Sequence, residues 1–285
     1  MKYIYITNQP KIAAMAQKAG VERISIDMEY IGKRQRQKGM NSVLNEHSFS
    51  DIALVRRVID RSELLVRVNP IHDVQANGYP ATEEEIDRVI SLGADIVMLP
   101  YYKTAAEVDR FLEAVNGRAK TMLLLETAET AEAADEICGI DGVDEFHIGL
   151  NDLSLSYHYG FLFEPLITGL VERICKTIGR HEKPYGIGGI ASPGHGLVPA
   201  EIVLREHYRL GSNGAILSRS FCNIHLYQDL SAVEEVFDRA MCGIRELEAE
   251  CERFLLEQGP DGSYFQENKK ALALAVRQVL SQVNE

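Results

Sequence analysis

TMLLLETAETAEAADEICG, residues 121–139, holds two patterns in succession. A run of Met and Leu ends on a carboxylate, Glu126, and a stretch with helix-like amphipathic spacing follows it. An apolar run this short suits a strand. The same pair of patterns recurs on both sides. Apolar runs stand at YIYIT (3–7), RISIDME (23–29), LLVRVNP (64–70), DIVMLP (95–100), TMLLLE (121–126), EFHIGL (145–150), YGIGGI (185–190) and GAILSRS (214–220). Several are rich in Val and Ile, which favour strands. Between them lie KIAAMAQKAG, with Gly20 as its C-cap, ATEEEIDRVISLG, TAAEVDRFLEAVNG, TAEAADEICG, FEPLITGLVERICKTIG and PAEIVLREHYRLG. In the second of these, Thr82 and Glu85 have the spacing of a capping box.

Eight strand–helix repeats predict a (β/α)8 TIM barrel with extra C-terminal helices, and the expected size of about 250 residues fits. An open doubly wound sheet is the other arrangement that alternation permits. The expected division is a barrel over 1–230 and C-terminal helices over 231–285, closing the barrel and contacting a neighbouring subunit. The first of these helices begins near 231 and carries a stripe of Val233, Val236, Phe237, Met241, Ile244, Leu247 and Phe254; a second is expected over 267–282. Between Tyr30 and Phe49 no element is evident. A loop of that length in a compact domain is usually functional, and this one follows strand 2, on the face where such barrels place their sites.

Composition narrows the function. The chain of 285 residues is 46% hydrophobic and 25% charged, with a formal net charge of −12. That balance argues against a nucleic-acid partner. No apolar run approaches the ~20 residues of a membrane span, and the first ten residues are too short and polar for a signal peptide. The five cysteines, Cys138, Cys175, Cys222, Cys242 and Cys251, have no zinc-pair spacing. They are expected to be reduced thiols in a cytoplasmic protein.

Side chains at i and i+2 share a strand face. Asp27 and Glu29 therefore go together, as do Arg67 and Asn69, opposite Val66 and Val68. Charges among Ile and Val should point into the barrel, where Asp27 or Glu29 can partner Arg67 across neighbouring strands. Glu126 and Asp152 are placed at the ends of strands 5 and 6. Two carboxylates on adjacent strands repel unless a proton or a cation lies between them. Mg²⁺ is a hard ion that takes one or two carboxylates and keeps its other positions for water or substrate oxygens. Helix capping is the competing role for either acid. The basic run GKRQRQKG, 32–39, with Lys33, Arg34, Arg36 and Lys38, reads as a solvated loop. An anion-binding role at the mouth is the other reading. GIGGIASPGHG, with Gly188 and Gly189, could bring backbone N–H groups to a carboxylate or phosphate.

IDMEY, LLVRVNP, GADIVMLPYYKTAAEV, LLLETAETAEAADEI and HIGLNDLS, in this order, resemble the HpcH/HpaI aldolase and citrate lyase β-subunit family, in the phosphoenolpyruvate/pyruvate-binding barrel superfamily. The resemblance runs over residues 1–230. It implies metal ligation by Glu126 and Asp152, with Mg²⁺ or Mn²⁺ as the ion. Arg67 would bind the oxo-acid oxygens, and Glu29 would lie in the site. Asn69 is read as a further substrate contact, with Gly188 and Gly189. RVNP resembles the acyl-CoA branch and IGLNDLS the 2-oxo-acid aldolase branch. Tyr30 stands where the aldolase branch has its histidine, so the base is open between His47 and His72. His147 reads as a core or helix-facing residue. The leading expectation is a metal-dependent carbon–carbon lyase of the aldol type, making a pyruvate-like enolate. An acyl-CoA lyase or thioesterase, and a catalytically silent binding homologue, are the alternatives. The partners implied are a small oxo acid or acyl-CoA, and further copies of the chain in a trimer or hexamer.

Overall fold

A computed structural model describes residues 1–36, 45–226 and 229–283. Eight parallel strands close on themselves in sequence order: β1 (Lys2–Ile6), β2 (Arg23–Asp27), β3 (Glu63–Arg67), β4 (Ile96–Leu99), β5 (Lys120–Leu125), β6 (Glu145–Ile148), β7 (Tyr185–Ile190) and β8 (Gly214–Leu217). All eight expected runs contain a strand, and the open-sheet alternative falls with the closure of β8 on β1. The helices are α1 (Pro10–Lys18), α2 (Lys33–Arg36), α3 (Phe49–Arg56), α4 (Thr82–Ser91), α5 (Ala105–Val115), α6 (Ala128–Glu132), α7 (Ala134–Cys138), α8 (Leu150–Ser156), α9 (Glu164–Ile167), α10 (Leu170–Arg180), α11 (Ala200–Leu210), α12 (Leu230–Gln258) and α13 (Ser263–Val283).

Strand alternation sorts the side chains. Ile4, Leu65, Ile96, Met98, Met122 and Leu124 fill the barrel interior with Ile216 against them. The opposite faces, among them Ile24, Ile26, Leu64, Val66, Leu123, Phe146 and Ile148, pack under the helices. The β2–β3 register sets Arg23 beside Glu63 and Asp27 beside Arg67. One pair of strands thus carries opposite charge pairs at its two ends.

Several local expectations are corrected. The segment after Phe163 is two helices, because Gly169 at φ 85 breaks α9 from α10. The segment before Gly139 is likewise two, α6 and α7, joined at Ala133. Thr82 and Glu85 form no capping box: Ala81 is the N-cap of α4, and the Glu85 carboxylate instead accepts from Asn69. Asp152 does not end a strand. It lies in the first turn of α8, where the helix dipole favours an acid. The final helix starts at Ser263, earlier than expected.

Helix α12 follows β8 and closes the barrel by packing on α1 and α11, and α13 packs on α9 and α11. The α12 stripe covers the chain's own barrel: Val233, Phe237, Met241 and Ile244 are buried. Each such side chain contributes about 1.5–3 kcal/mol on burial. One helix, α13, is thus additional to the barrel. Among the described residues no helix is long and apolar enough to cross a membrane, and no two of the five cysteines are bonded.

Candidate active site

The C-terminal ends of β2, β3 and β5 and the first turn of α8, after β6, carry the charged side chains of this mouth. Asp27 is buried and takes two hydrogen bonds from Arg67, Nε to Oδ1 at 2.8 Å and Nη2 to Oδ2 at 2.6 Å. Lys33 Nζ donates to the same carboxylate at 2.8 Å. Asn45 Nδ2 donates to it as well, at 2.8 Å. Burial alone would raise the Asp27 carboxyl, but Arg67 and Lys33 outweigh it and hold it below the usual carboxylate range. Burial also opposes the Arg67 charge, and Asp27 and Glu29 overcome it, so the guanidinium stays firmly protonated.

The sequence did not place Lys33 and Arg36 here. The run containing them is not a solvated loop at its start: α2 turns Lys33 inward, 3% exposed. Lys33 Nζ also lies 3.3 Å from Glu29 Oε2, and the Arg36 guanidinium donates to Glu29 Oε1. Arg36 Nε stands 3.8 Å from Asp152 Oδ1. The Arg36 guanidinium carbon sits 3.8 Å above the Tyr101 ring. A basic run looks solvated when read locally; the signal that could have found these residues was the convergence of acids after β2 and β5 and in the first turn of α8. Lys38 and the side chain of Arg34 lie outside the described residues.

Glu126 follows β5 directly and is buried. Its Oε1 accepts from the Tyr101 N–H at 2.9 Å. Gly149, after β6, leaves room for it: a Cβ there would stand 2.8 Å from Glu126 Oε2. Burial raises the Glu126 carboxyl well above its ordinary range, and the charges of Glu29 and Asp152 raise it further. Among the described residues, four carboxylates, Asp27, Glu29, Glu126 and Asp152, thus share this end with Lys33, Arg36 and Arg67, and Arg219 lines the same cavity. Glu29 Oε2 is buried without a hydrogen bond.

These features fit a hard divalent cation. The donors are carboxylate oxygens, burial and the neighbouring acids make the ionised form of Glu126 costly without a further cation, and Gly149 keeps the space beside Glu126 clear. Among the described residues no three His, Cys, Asp or Glu side chains form a closed metal centre. Glu126 and Asp152 would therefore leave coordination positions to water or substrate, as Mg²⁺ sites commonly do.

A cavity of about 370 Å³ opens above them, lined by Asp27, Lys33, Arg67, Glu126 and Asp152 on one side. Ser218, Arg219 and Asn223 line it on the other, with Leu124, Leu150, Leu162 and Ile216 as apolar wall. Gly188 and Gly189 line it too. At Gly188, φ is +38°, and a Cβ would lie 2.5 Å from Leu150 Cδ1, so only glycine fits. The Gly188 carbonyl accepts from His147 Nε2 at 3.1 Å, if that nitrogen carries the proton. His147 points into the barrel, not toward the helices, and lines this cavity. Burial lowers its pKa to about 4.

Three expected site residues sit elsewhere. Asn69 Oδ1 accepts from the N–H groups of Tyr30 and Ile31 at 2.9 and 3.0 Å, and its Nδ2 donates to Glu85 at 2.9 Å. Its polar atoms hold the start of the β2–α3 connection rather than a substrate. His47 Nδ1 accepts the Asp27 N–H at 3.0 Å, and burial lowers its pKa. Its ring lines a second cavity of about 480 Å³ with Glu29, Tyr30 and Tyr79; Lys33 and Asn45 line both cavities. His72 has both ring nitrogens on carbonyl oxygens, of Pro70 at 2.7 Å and Pro80 at 2.9 Å, and lines neither cavity.

Known proteins resemble the chain at two levels. Among solved structures, an HpcH/HpaI aldolase/citrate lyase family protein from Burkholderia cenocepacia J2315 aligns with TM-score 0.59 and 17% identity, over 81% of this chain and 94% of that one. The HpcH/HpaI aldolase from Desulfitobacterium hafniense DCB-2 aligns with TM-score 0.56 and 15% identity, over 86% and 93%. The citrate synthase SbnG aligns with TM-score 0.58 and 17% identity, over 82% and 93%. At these identities the likeness concerns the fold alone. No match is found among curated proteins. The family model for HpcH/HpaI aldolase/citrate lyase matches residues 4–161, a stretch that contains Asp27, Glu29, Arg67, Glu126 and Asp152. With more than half of its length and its charged strand ends inside that match, the chain belongs to the HpcH/HpaI aldolase/citrate lyase family, a family of lyase- and aldolase-type enzymes.

Proposed function

We propose that the chain is a metal-dependent carbon–carbon lyase of the aldol type, cleaving or forming the bond between the carbon next to the oxo group and the hydroxyl-bearing carbon after it in a small 2-oxo acid. The observation that carries this reading is the pair of acids Glu126 and Asp152 beside Arg67 in one cavity, with the Glu126 carboxyl pushed up by burial and by its neighbouring acids. Glu126 and Asp152 would hold Mg²⁺ or Mn²⁺. When bound, the ion supplies Lewis-acid polarisation of the oxo oxygen. Arg67 faces the cavity with Nε and Nη2 fixed by Asp27, so its orientation is set before substrate arrives. It would bind the oxo-acid oxygens and offset the negative charge that grows on them. Lys33 adds a second fixed positive charge to the same wall. Gly188 and Gly189 let the substrate approach β7 closely. His47 would reach a substrate proton only from the neighbouring cavity, past Lys33 and Asn45.

The alternative of an acyl-CoA substrate is less well supported. Lys33 and Arg36 are engaged with Asp27, Glu29 and Asp152, so those two cations are not available to CoA phosphates. The cavity of about 370 Å³ also lies at the small end of the range for ligand sites, which suits a short oxo acid. A homo-oligomer, trimer or hexamer by resemblance, is part of the proposal. Leu256 on α12 and Leu274 on α13 are 89% and 60% exposed, and light scattering at micromolar concentration tests the assembly. For the chemistry, pyruvate is incubated with the protein and Mg²⁺ or Mn²⁺ in D₂O, and its methyl protons are followed by NMR. Exchange that needs protein and metal together is expected. Its absence with pyruvate and with longer 2-oxo acids would count against enolate chemistry.

A further inference from the structure

Arg36, in the basic turn after β2, is a cation of the site that the proposed reaction leaves unused. Arg36 bridges two acids: its guanidinium donates to Glu29, and its Nε lies 3.8 Å from Asp152 Oδ1. It also stacks on Tyr101, whose N–H holds Glu126. One side chain therefore touches Glu29, approaches Asp152, and reaches Glu126 through a single residue.

Arg36 is held differently from the other cations here. Arg67 is fixed by two hydrogen bonds to Asp27, at 2.8 and 2.6 Å. Lys33 is fixed on the same carboxylate. Arg36 Nε is buried and makes no hydrogen bond, and its distance to Asp152 is too long for one. Charge and ring stacking, not a directed bond, keep it beside Asp152. Its helix, α2, is a single turn anchored three residues earlier by Lys33.

We propose that Arg36 is an internal stand-in cation. It balances Glu29 and Asp152 in the metal-free protein and shifts off Asp152 when a divalent ion binds there, so Arg36 sets the affinity of the site for that ion. The proposal rests on the reading of Glu126 and Asp152 as the metal-holding pair. A hard divalent ion stands about 2.0–2.1 Å from an oxygen that ligates it, so an ion on Asp152 would lie close to the Arg36 guanidinium, whose Nε is 3.8 Å from Oδ1, and repel it. Arg36 retains Glu29 as its partner after the shift, so it need not become an unpaired buried charge. It acts as a positioning residue for the carboxylates, not as a group that touches the reacting atoms.

The test is a calorimetric Mn²⁺ titration of the full-length chain, with no substrate present. Arg36→Gln should bind Mn²⁺ roughly tenfold tighter than the parent, the scale of one charge–charge contact after screening. Its metal-free melting temperature should fall, and saturating Mn²⁺ should raise it by more than in the parent. Arg118→Gln removes a cation remote from the site and should leave the affinity unchanged. If Arg36→Gln does not fold, Arg36→Lys carries the test: its shorter reach should still tighten binding, by a smaller factor. Equal or weaker Mn²⁺ affinity in the folded Arg36 variants, with the parent binding normally, would overturn the proposal alone. No Mn²⁺ binding by the parent or the variants would overturn it together with the metal reading.

Discussion

The two mouths of the barrel are built around the same four strands, β2, β3, β5 and β6, and solve opposite problems. At the N-terminal mouth Arg23 makes a forked contact with Glu145, at 2.7 and 2.6 Å, and donates to Glu63 at 2.9 Å. Lys120 closes the set on Glu63 at 2.6 Å. Arg23 and Lys120 thus answer the two carboxylates Glu63 and Glu145. At the C-terminal mouth Asp27, Glu29, Glu126 and Asp152 crowd together, and burial and the neighbouring acids push Glu126 toward its protonated form. Between them lies the apolar layer of Leu65, Met98, Met122 and Leu124. A satisfied ion cluster holds a barrel end in register; an unsatisfied one leaves capacity for something else. The comparison teaches that buried charge alone does not mark a site. The imbalance does.

The comparison can be broken most forcefully at the N-terminal mouth. Arg23→Met would leave Glu145 buried without its forked partner, and stability should fall by about 3–5 kcal/mol in urea unfolding. Mn²⁺ affinity of the folded fraction should stay at the parent value. A large loss of affinity would mean the two mouths are not independent.

A smaller effect is expected from acid. The Asp27 carboxyl is held below its unfolded-state value, so it contributes stability that is present above about pH 4 and lost as pH falls through its folded value. That contribution should be about 2–3 kcal/mol. Asp27→Asn should already lack it at neutral pH and show a flatter loss of stability below pH 4 than the parent. Parallel acid profiles for the two proteins would contradict this.

The smallest effect on stability is expected at Glu126. Its carboxyl is raised by burial and by neighbouring acids, so in the metal-free protein the ionised form is the costly one. Glu126→Gln should unfold within about 1 kcal/mol of the parent at neutral pH, or slightly above it, because the amide keeps the Tyr101 contact without the charge. A loss of several kcal/mol would place Glu126 among the structural ion pairs, with Glu145.

Much of this contrast was legible in the sequence. Period-two alternation and the adjacency of strands 2 and 3 put Arg67 inside the barrel with Asp27 or Glu29 as its partner, and the β2–β3 register sets Asp27 beside it. It also picked out Glu126, because a carboxylate ending a run of Leu has few places to go. Asn69 misled for a long-range reason: it shares the inward alternation of Arg67, yet lies past the strand end, where Glu85, sixteen residues on, captures it. The T-x-x-E spacing at Thr82 looks like a cap because a local pattern carries no knowledge of that partner. Lys33 and Arg36 were hidden for the converse reason. A basic run reads as solvated until the acids that bury it, on other strands, are known to converge. His147 was misassigned because Gly149, its alternation partner, has no side chain to declare a face.

The central claim is that the C-terminal mouth holds a divalent cation on Glu126 and Asp152. Titration of Mn²⁺ into Glu126→Gln and Asp152→Asn, each beside the parent, tests it most directly. Both substitutions keep shape and remove the charge that a hard cation requires. The account predicts that each variant keeps a cooperative melt close to the parent's and loses Mn²⁺ affinity by at least about tenfold. Parent-like Mn²⁺ affinity in both folded variants would contradict it and place the metal elsewhere.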